Sequence, residues 1–401
     1  MIRIQKSYLI AFFALITFFQ PTFVSVLPSV GTFYNALRVL TFLSVSLYAI
    51  KTKQILPFAP IMLILGEFWL LILTVTKQGQ IQAELINFMM LFSLVMLVNI
   101  YKDNFNIFLR ALLLHFELTI YINLLSLILF PEKLFSRVNS AYGSTFEWFL
   151  GSRNNFIIWL LPGLLIALLY RHYNKSNKRA NLLIAAVFAT QLFQTSSTLV
   201  VTSIILLVLS ITPYFKRLFR PFISLALALF VQFLIVVASN VEFLAPIVQG
   251  ILGKDLTFTN RTTIWKNALN HISLYSGYGR MQSDKAATVL GNFGSYIWKG
   301  ATHAHDQLLN LGVQGGLLLV VTTLYIYFIC FWKSEKYWKN PIAQIYSFGV
   351  FAYIIAGITE ITSNLLLQLM LILPLFLDKT IIEADKNYSI KGNEVHEKLQ
   401  K

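Results

Sequence analysis

Apolar residues occupy this chain in long unbroken blocks separated by short polar gaps, with neither the strict alternation of half-buried strands nor the narrow stripe of soluble helices. A helix needs about 20 apolar residues to cross about 30 Å of hydrocarbon. By that rule the blocks predict about twelve spans, at 8–28, 33–50, 56–76, 85–100, 107–130, 155–170, 181–196, 198–214, 221–241, 308–331, 342–358 and 361–378. The first block, in MIRIQKSYLIAFFALITFFQPTF, has the basic start of a signal peptide but no small-x-small cleavage site, so it reads as a retained span. Around Thr190 to Ser203 the blocks are short and meet at QTSSTLVVTS, which predicts two half-length helices joined by a polar turn.

The gaps orient the spans. With the N-terminus in the cytoplasm, the cytoplasmic gaps hold Arg3 and Lys6, Lys51 and Lys53, Lys102, RHYNKSNKR, Lys216 to Arg220, Lys333 to Lys339 and the lysines beyond Asp378, as the positive-inside rule requires. The same parity leaves two sizeable loops outside, at 131–154 and 242–307. The expected fold is therefore an all-α polytopic membrane protein with one large extracytoplasmic loop between the ninth and tenth spans. It divides into spans one to nine (1–241), the loop (242–307), spans ten to twelve (308–378) and a cytoplasmic tail (379–401).

Composition agrees. The chain is 57% hydrophobic and only 12% charged, with too little polar surface for a soluble globule of 401 residues. Its net charge of +15 does not indicate nucleic acid, because the basic residues sit in gaps between spans rather than on one face of a soluble domain. The single cysteine, Cys330, lies in an apolar block and offers neither an internal disulfide nor a thiolate metal site.

The 242–307 loop departs from its surroundings. It is polar and aromatic, and it carries Arg261, Lys266, His271, Arg280, Lys285, Lys299, His303 and His305. Basic residues outside run against the topology rule, and an anionic ligand at the outer leaflet supplies a reason for them. Solvation alone accounts for lysines such as Lys254, Lys285 and Lys299. Asn260 to His271 predicts an amphipathic helix with Ile264, Trp265, Ala268 and Leu269 on its apolar side. SGYGR, Ser276 to Arg280, places an arginine at a glycine-built bend, and arginine's planar fork suits phosphate.

The order of these pieces, NRTTIWKNAL opened by Arg261, then GYG, then AHDQLLNLGVQGGLLLVV led by His305, resembles the O-antigen polymerase and O-antigen ligase superfamily. Asp306 and Leu319 stand where the ligase-type pattern has an amide or serine and a second small residue, so the chain looks more like the capsular and exopolysaccharide polymerases of Gram-positive bacteria. The resemblance implies a metal-independent glycosyltransferase of the bacterial plasma membrane, without cofactor, both termini cytoplasmic. It would transfer an undecaprenyl-pyrophosphate-linked oligosaccharide to the hydroxyl of another lipid-linked repeat unit on the outer face, within the lipid bilayer and beside flippase and chain-length regulator proteins. Arg261 and Arg153, the latter in GSRNNFIIW, would stabilise the departing pyrophosphate, and His305 would take the acceptor proton. Arg280, His303 and Lys266 would bind substrate. Other readings are ligase-type transfer to a different acceptor and a lipid-linked glycan flippase or secondary transporter, although transporters keep their charges near the midplane.

Two local readings stay open. Asp306 either orients His305 or caps the helix that begins near Gln307. Within the spans, Arg38, Glu67, Arg110, His115, Glu117 and Glu360 either pair with one another, as Arg38 with Glu67, or line a groove for glycan. His303, His305 and Asp306 lack the spacing of a helical zinc site, and no P-loop is present.

Overall fold

The computed structural model describes residues 5–139, 143–174, 177–194, 196–238, 246–251 and 261–384. Much of 239–260, where the expected loop begins, and the tail from 385 onward lie outside the described residues. The chain is mostly helical: α1 (Lys6–Ile16), α2 (Thr22–Ser25), α3 (Pro28–Lys51), α4 (Phe58–Thr76), α5 (Ile81–Tyr101), α6 (Phe105–Leu129), α7 (Ile157–Asn174), α8 (Lys178–Phe193), α9 (Ser197–Ile211), α10 (Pro213–Leu218), α11 (Pro221–Gln232), α12 (Arg261–Asn270), α13 (Ser283–Leu290), α14 (Gln307–Lys336), α15 (Pro341–Gly357) and α16 (Leu365–Ile372).

Six stretches among the described residues are long and apolar enough to cross a membrane: Ser29–Lys51, Phe58–Thr76, Ile81–Leu129, Arg153–Asn174, Gln307–Lys336 and Leu365–Ala384. Ile81–Leu129 contains two of the expected spans, α5 and α6, divided by a single 3-10 turn at Lys102–Asn104. Lys6–Ile16, Ser197–Ile211, Pro221–Val237 and Pro341–Gly357 are apolar but shorter.

Several boundaries move for local reasons. The first block does not run to 28: α1 stops at Ile16, and Pro21, which has no amide hydrogen to continue a helix, sits at the N-cap of α2. The pair expected around the polar turn forms two helices of 16 and 15 residues, short of a full span but longer than half of one, with α8 ending at Phe193 and the Ser196 side chain accepting the Leu199 N–H to start α9. The final helix continues past 378 to Ala384. The gap at 131–154, for which no element was expected, folds as an antiparallel hairpin of β1 (Phe135–Asn139) and β2 (Gly143–Glu147), a small addition to a chain whose mostly helical make-up is consistent with the all-α expectation.

The main core gathers α5, α6, α7, α15 and α16 around fully buried rings such as Phe105, Phe108, Phe116 and Phe348. A second, smaller core lies under the loop, where Ile264, Trp265 and Ala268 of α12 meet Ala286 and Leu290 of α13, Leu309 and Val313 of α14, and Ile358. The buried side of α12 is thus the expected one, with Leu269 partly buried against it. α13, whose sequence SDKAATVL offers little apolar signal, was not foreseen.

What locks this loop to the bundle is a break in α14. Gly316 takes φ 75°, ψ −177°, a conformation essentially confined to glycine, and the carbonyls of the preceding turn lose their helical partners. The loop supplies new ones. Tyr278 N–H donates to Val313 O and Gly279 N–H to Gln314 O, each at 2.9 Å, while Trp69 Nε1 of α4 reaches Gly315 O at 3.1 Å. Only glycine fits at 277 and 279: a Cβ on Gly277 would lie 2.1 Å from Gln314 O, and one on Gly279, at φ +62°, 2.5 Å from Thr74 Cα. The SGYGR bend is therefore wedged between α14 and the end of α4.

Candidate functional site

A cavity of about 720 Å³ opens among α3, α4, α5, α14 and the loop, and its charged lining is Arg38, Glu67, Glu84, Arg280 and His303. Amide side chains, among them Gln20, Gln80, Asn87, Gln307 and Gln314, share the wall with Trp159 and Tyr353. Such a volume is within the range of small-molecule sites, about 300–1,000 Å³, but the lining is far more polar than is usual for a membrane interior.

Arg280 reaches the cavity because its backbone is pinned. Its N–H donates to Thr74 Oγ1 at 2.8 Å, and its carbonyl accepts from Gln80 N–H, also at 2.8 Å. The guanidinium Nη1 lies 3.5 Å from Oε2 of Glu84, whose side chain is only 1% exposed. Glu84 in turn meets the Glu67 carboxyl through a hydrogen bond. Arg38 does not pair with Glu67 as considered above. It donates to Asn35 Oδ1 at 2.9 Å and to Gln20 Oε1 at 2.7 Å, so its neighbours are neutral acceptors.

Beside the cavity lies a second group. Arg261 opens α12 and points away from the loop core onto the turn between α15 and α16, where Nη1 donates to Thr359 O and Nη2 to Glu360 Oε1 at 3.2 Å. Thr359 Oγ1 also meets Thr198 Oγ1 at 2.8 Å, which ties the start of α9 to the same turn. Two of the five guanidinium donors are engaged and three remain. Burial pushes the Glu360 carboxyl above the ordinary range, and the Arg261 charge opposes that rise.

The histidines are held close together. His305 adopts φ +54°, a region that non-glycine residues seldom enter, and the turn brings its ring to 4.0 Å from that of His303. The His305 N–H donates to His303 Nδ1 at 3.2 Å, so neutral His303 carries its proton on Nε2. Burial, then the Arg261 charge, pushes His303 down to about 4. Burial, with His303 and Arg261 beside it, holds His305 still lower, and its Nδ1 is buried without a hydrogen-bond partner. Both imidazoles are neutral at physiological pH, and an arriving anion is the ligand that would raise them.

Asp306 resolves as a cap. Oδ1 accepts the Leu309 N–H at 2.7 Å and Oδ2 accepts from the Gln232 side chain, so it faces the bundle and does not orient His305. Burial pushes it up to about 7, opposed by the hydrogen bonds from Leu309, Gln232 and Leu308.

Arg261, His303 and His305 are thus brought together, with Arg280 and His303 both on the cavity wall. Arg153 and Lys266 are exposed and outside the lining, although Asn155, two residues from Arg153, belongs to it. The other intraspan polar groups have structural partners: Arg179 clasps Glu117 with two nitrogens, and His115 Nε2 pairs with Phe12 O at 2.9 Å. Sequence reasoning missed Glu84, a lone carboxylate in the first turn of α5, and the amide lining; a glutamate entering an apolar block was the available signal. No cluster of three or more metal-ligating side chains occurs among the described residues.

Residues 180–326, from α8 into α14, match the family model described as O-antigen ligase, Wzy_C. Over this stretch the chain is similar to the O-antigen ligase family. The superfamily match takes in Arg261, Arg280, His303, His305 and the α14 break, so the loop that covers the cavity is the part that is similar. No curated protein matches the chain.

Proposed function

We propose that this protein is a glycan polymerase. It transfers an oligosaccharide from an undecaprenyl-pyrophosphate carrier to a hydroxyl of a second lipid-linked repeat unit, at the outer face of a bacterial plasma membrane, in capsule or exopolysaccharide synthesis. The observation that carries the reading is the placement of Arg261 and the touching, half-buried His303 and His305 rings beside a polar cavity whose wall includes His303 and Arg280.

The pyrophosphate leaves with concentrated negative charge as the glycosidic bond breaks, and fixed cations or hydrogen-bond donors aimed at that charge lower the barrier. Arg261 has three unused donors for this role, and Arg280 adds a second guanidinium. Arg153 and Lys266, exposed near the loop, serve the approach of the anionic carrier. A bound pyrophosphate raises the affinity of both histidines for a proton, which brings His305 toward the working range of a general base for the acceptor hydroxyl. His303 offers its Nε2–H to the same anion. No metal takes part in this scheme.

Purified lipid-linked repeat unit in detergent tests the reading, since no bilayer is there to be crossed. Elongation of the glycan, unaffected by chelator, is the expected result. Absence of elongation from protein that moves the same lipid across proteoliposomes decides for a flippase, and transfer to an unrelated acceptor alone decides for a ligase.

A further inference from the structure

We infer that the Glu67–Glu84 pair on the cavity wall is a seat for sugar hydroxyls, which recognises the neutral, hydroxyl-rich glycan of the substrate rather than its pyrophosphate. The inference deepens the proposed function and rests on its premise that the cavity takes a lipid-linked glycan.

Two carboxyl groups side by side within a membrane are costly to hold, and protein donors ordinarily satisfy them. Glu117 and Glu360 are supplied in this way. Arg179 grips Glu117 with two nitrogens, and Arg261 holds Glu360 at 3.2 Å. At Glu67 and Glu84 the supply falls short. The nearest cation, Arg280, touches a single oxygen at 3.5 Å, the two carboxyls share one hydrogen bond between themselves, and Oε1 of Glu84 is buried with no N–H donor among the described residues. Both residues line the cavity, so the missing donors are to come from what fills it.

The chemistry of the pair selects the ligand. With one proton shared between them, the two carboxyls still present mainly acceptor oxygens and a single negative charge, so the pair welcomes hydroxyl or N–H donors and repels phosphate and uronate. Neighbouring sugar hydroxyls present two donors at once, matching two adjacent acceptor groups. Asn87, one turn from Glu84 on the same face of α5, and Gln80 add amides that both donate and accept, and Trp159 offers an apolar ring face across the cavity. Arg280 then stands between the two halves of the substrate, with one side on Glu84 and the guanidinium on the cavity wall that His303 shares.

The test measures binding of the producing cell's own lipid-linked repeat unit to the purified full-length protein in detergent, together with analogues that each lack one hydroxyl. One arm uses the single unit, which reports the acceptor; the other uses the elongated chain, which reports the donor. In at least one arm, removal of one hydroxyl is expected to weaken binding by roughly 10- to 100-fold, the range for a hydrogen bond to a charged group. In Glu84→Gln or Glu67→Gln that penalty should shrink to within about threefold, because the charged acceptor is gone. A merely structural pair would lower affinity for every analogue alike and leave the penalty intact. Flat binding across both series in the wild type, no binding at all, or an undiminished penalty in the variants overturns the seat. Where neither variant inserts, the wild-type series decides alone. Protein that binds with the expected penalty yet never elongates glycan counts against the transferase reading and leaves the seat standing.

Discussion

Replacing Arg261 with alanine removes two things at once, and the structure allows them to be measured apart. The first is structural. The Arg261–Glu360 pair lies 3.2 Å apart with side chains 19% and 17% exposed, and its loss leaves a nearly buried carboxylate alone. Breaking a buried pair costs about 3–5 kcal/mol, and the lower end applies here because Glu360, already pushed upward by burial, can take a proton instead. The second is catalytic: loss of one donor to a developing anion lowers turnover by about 10²–10³-fold. Adding Glu360→Gln separates them. The double variant should recover most of the thermal stability in detergent, since no unpaired charge remains, while elongation of lipid-linked glycan stays as low as in Arg261→Ala. Near wild-type elongation by the double variant would refute the argument, leaving Arg261 as a staple for the α15–α16 turn. Arg261→Lys should likewise rescue little, because a point charge cannot reproduce the planar fork.

His305→Ala should reduce elongation by about 10²–10⁴-fold with donor binding retained, a loss that His303→Ala does not match; equal losses would remove the distinction between them. His303 sits at about 4 in the folded protein against 6.5 when free, so the unfolded chain binds the proton more readily. The His303 contribution to stability is therefore full above about pH 6.5 and is lost as pH drops toward 4, and melting temperatures of His303→Gln should lack that component of the pH dependence. Gly316→Ala places a Cβ at φ 75°, ψ −177°, and should cost about 1–3 kcal/mol in thermal unfolding; an unchanged melting point would mean the α14 break relaxes freely. With Cys330 buried, a cysteine introduced at exposed Ser283 should react with an impermeant reagent in intact cells and one at exposed Thr52 only after permeabilisation; the reverse pattern inverts the proposed topology.

Legibility followed the range of the interactions. The long apolar helices, the apolar side of α12 and the short α8–α9 pair depend on neighbours within a turn or two and were readable, although six of the described stretches reach spanning length against about twelve expected spans, and the Asp306 cap was one of two readings left open. Arg261, His303 and His305 were readable as residue types suited to an anion, but not their common position, which depends on the Thr359–Glu360 turn far along the chain. Glu67 and Glu84 meet only because α4 and α5 pack side by side, and Arg38 faces Gln20 because the first block breaks before Pro21. The hairpin escaped notice because ten residues of strand carry too little pattern to rise above loop composition.

The break at Gly316 also determines where this protein can be divided. Leu309 and Val313 of α14, together with Ile235, Val236 and Ile358, form the bundle side of the small core under the loop, and the loop's bend donates its N–H groups to carbonyls that exist as free acceptors only because a spanning helix is interrupted. Cut out and made in water, the loop would lose its floor and those acceptors together and would remain unfolded. The reverse excision would leave Val313 O and Gln314 O of α14 without the loop N–H groups that meet them. Chimeras between relatives should accordingly place their junctions before α11 and beyond the turn between α15 and α16, so that the loop travels with the helices and the turn that complete it.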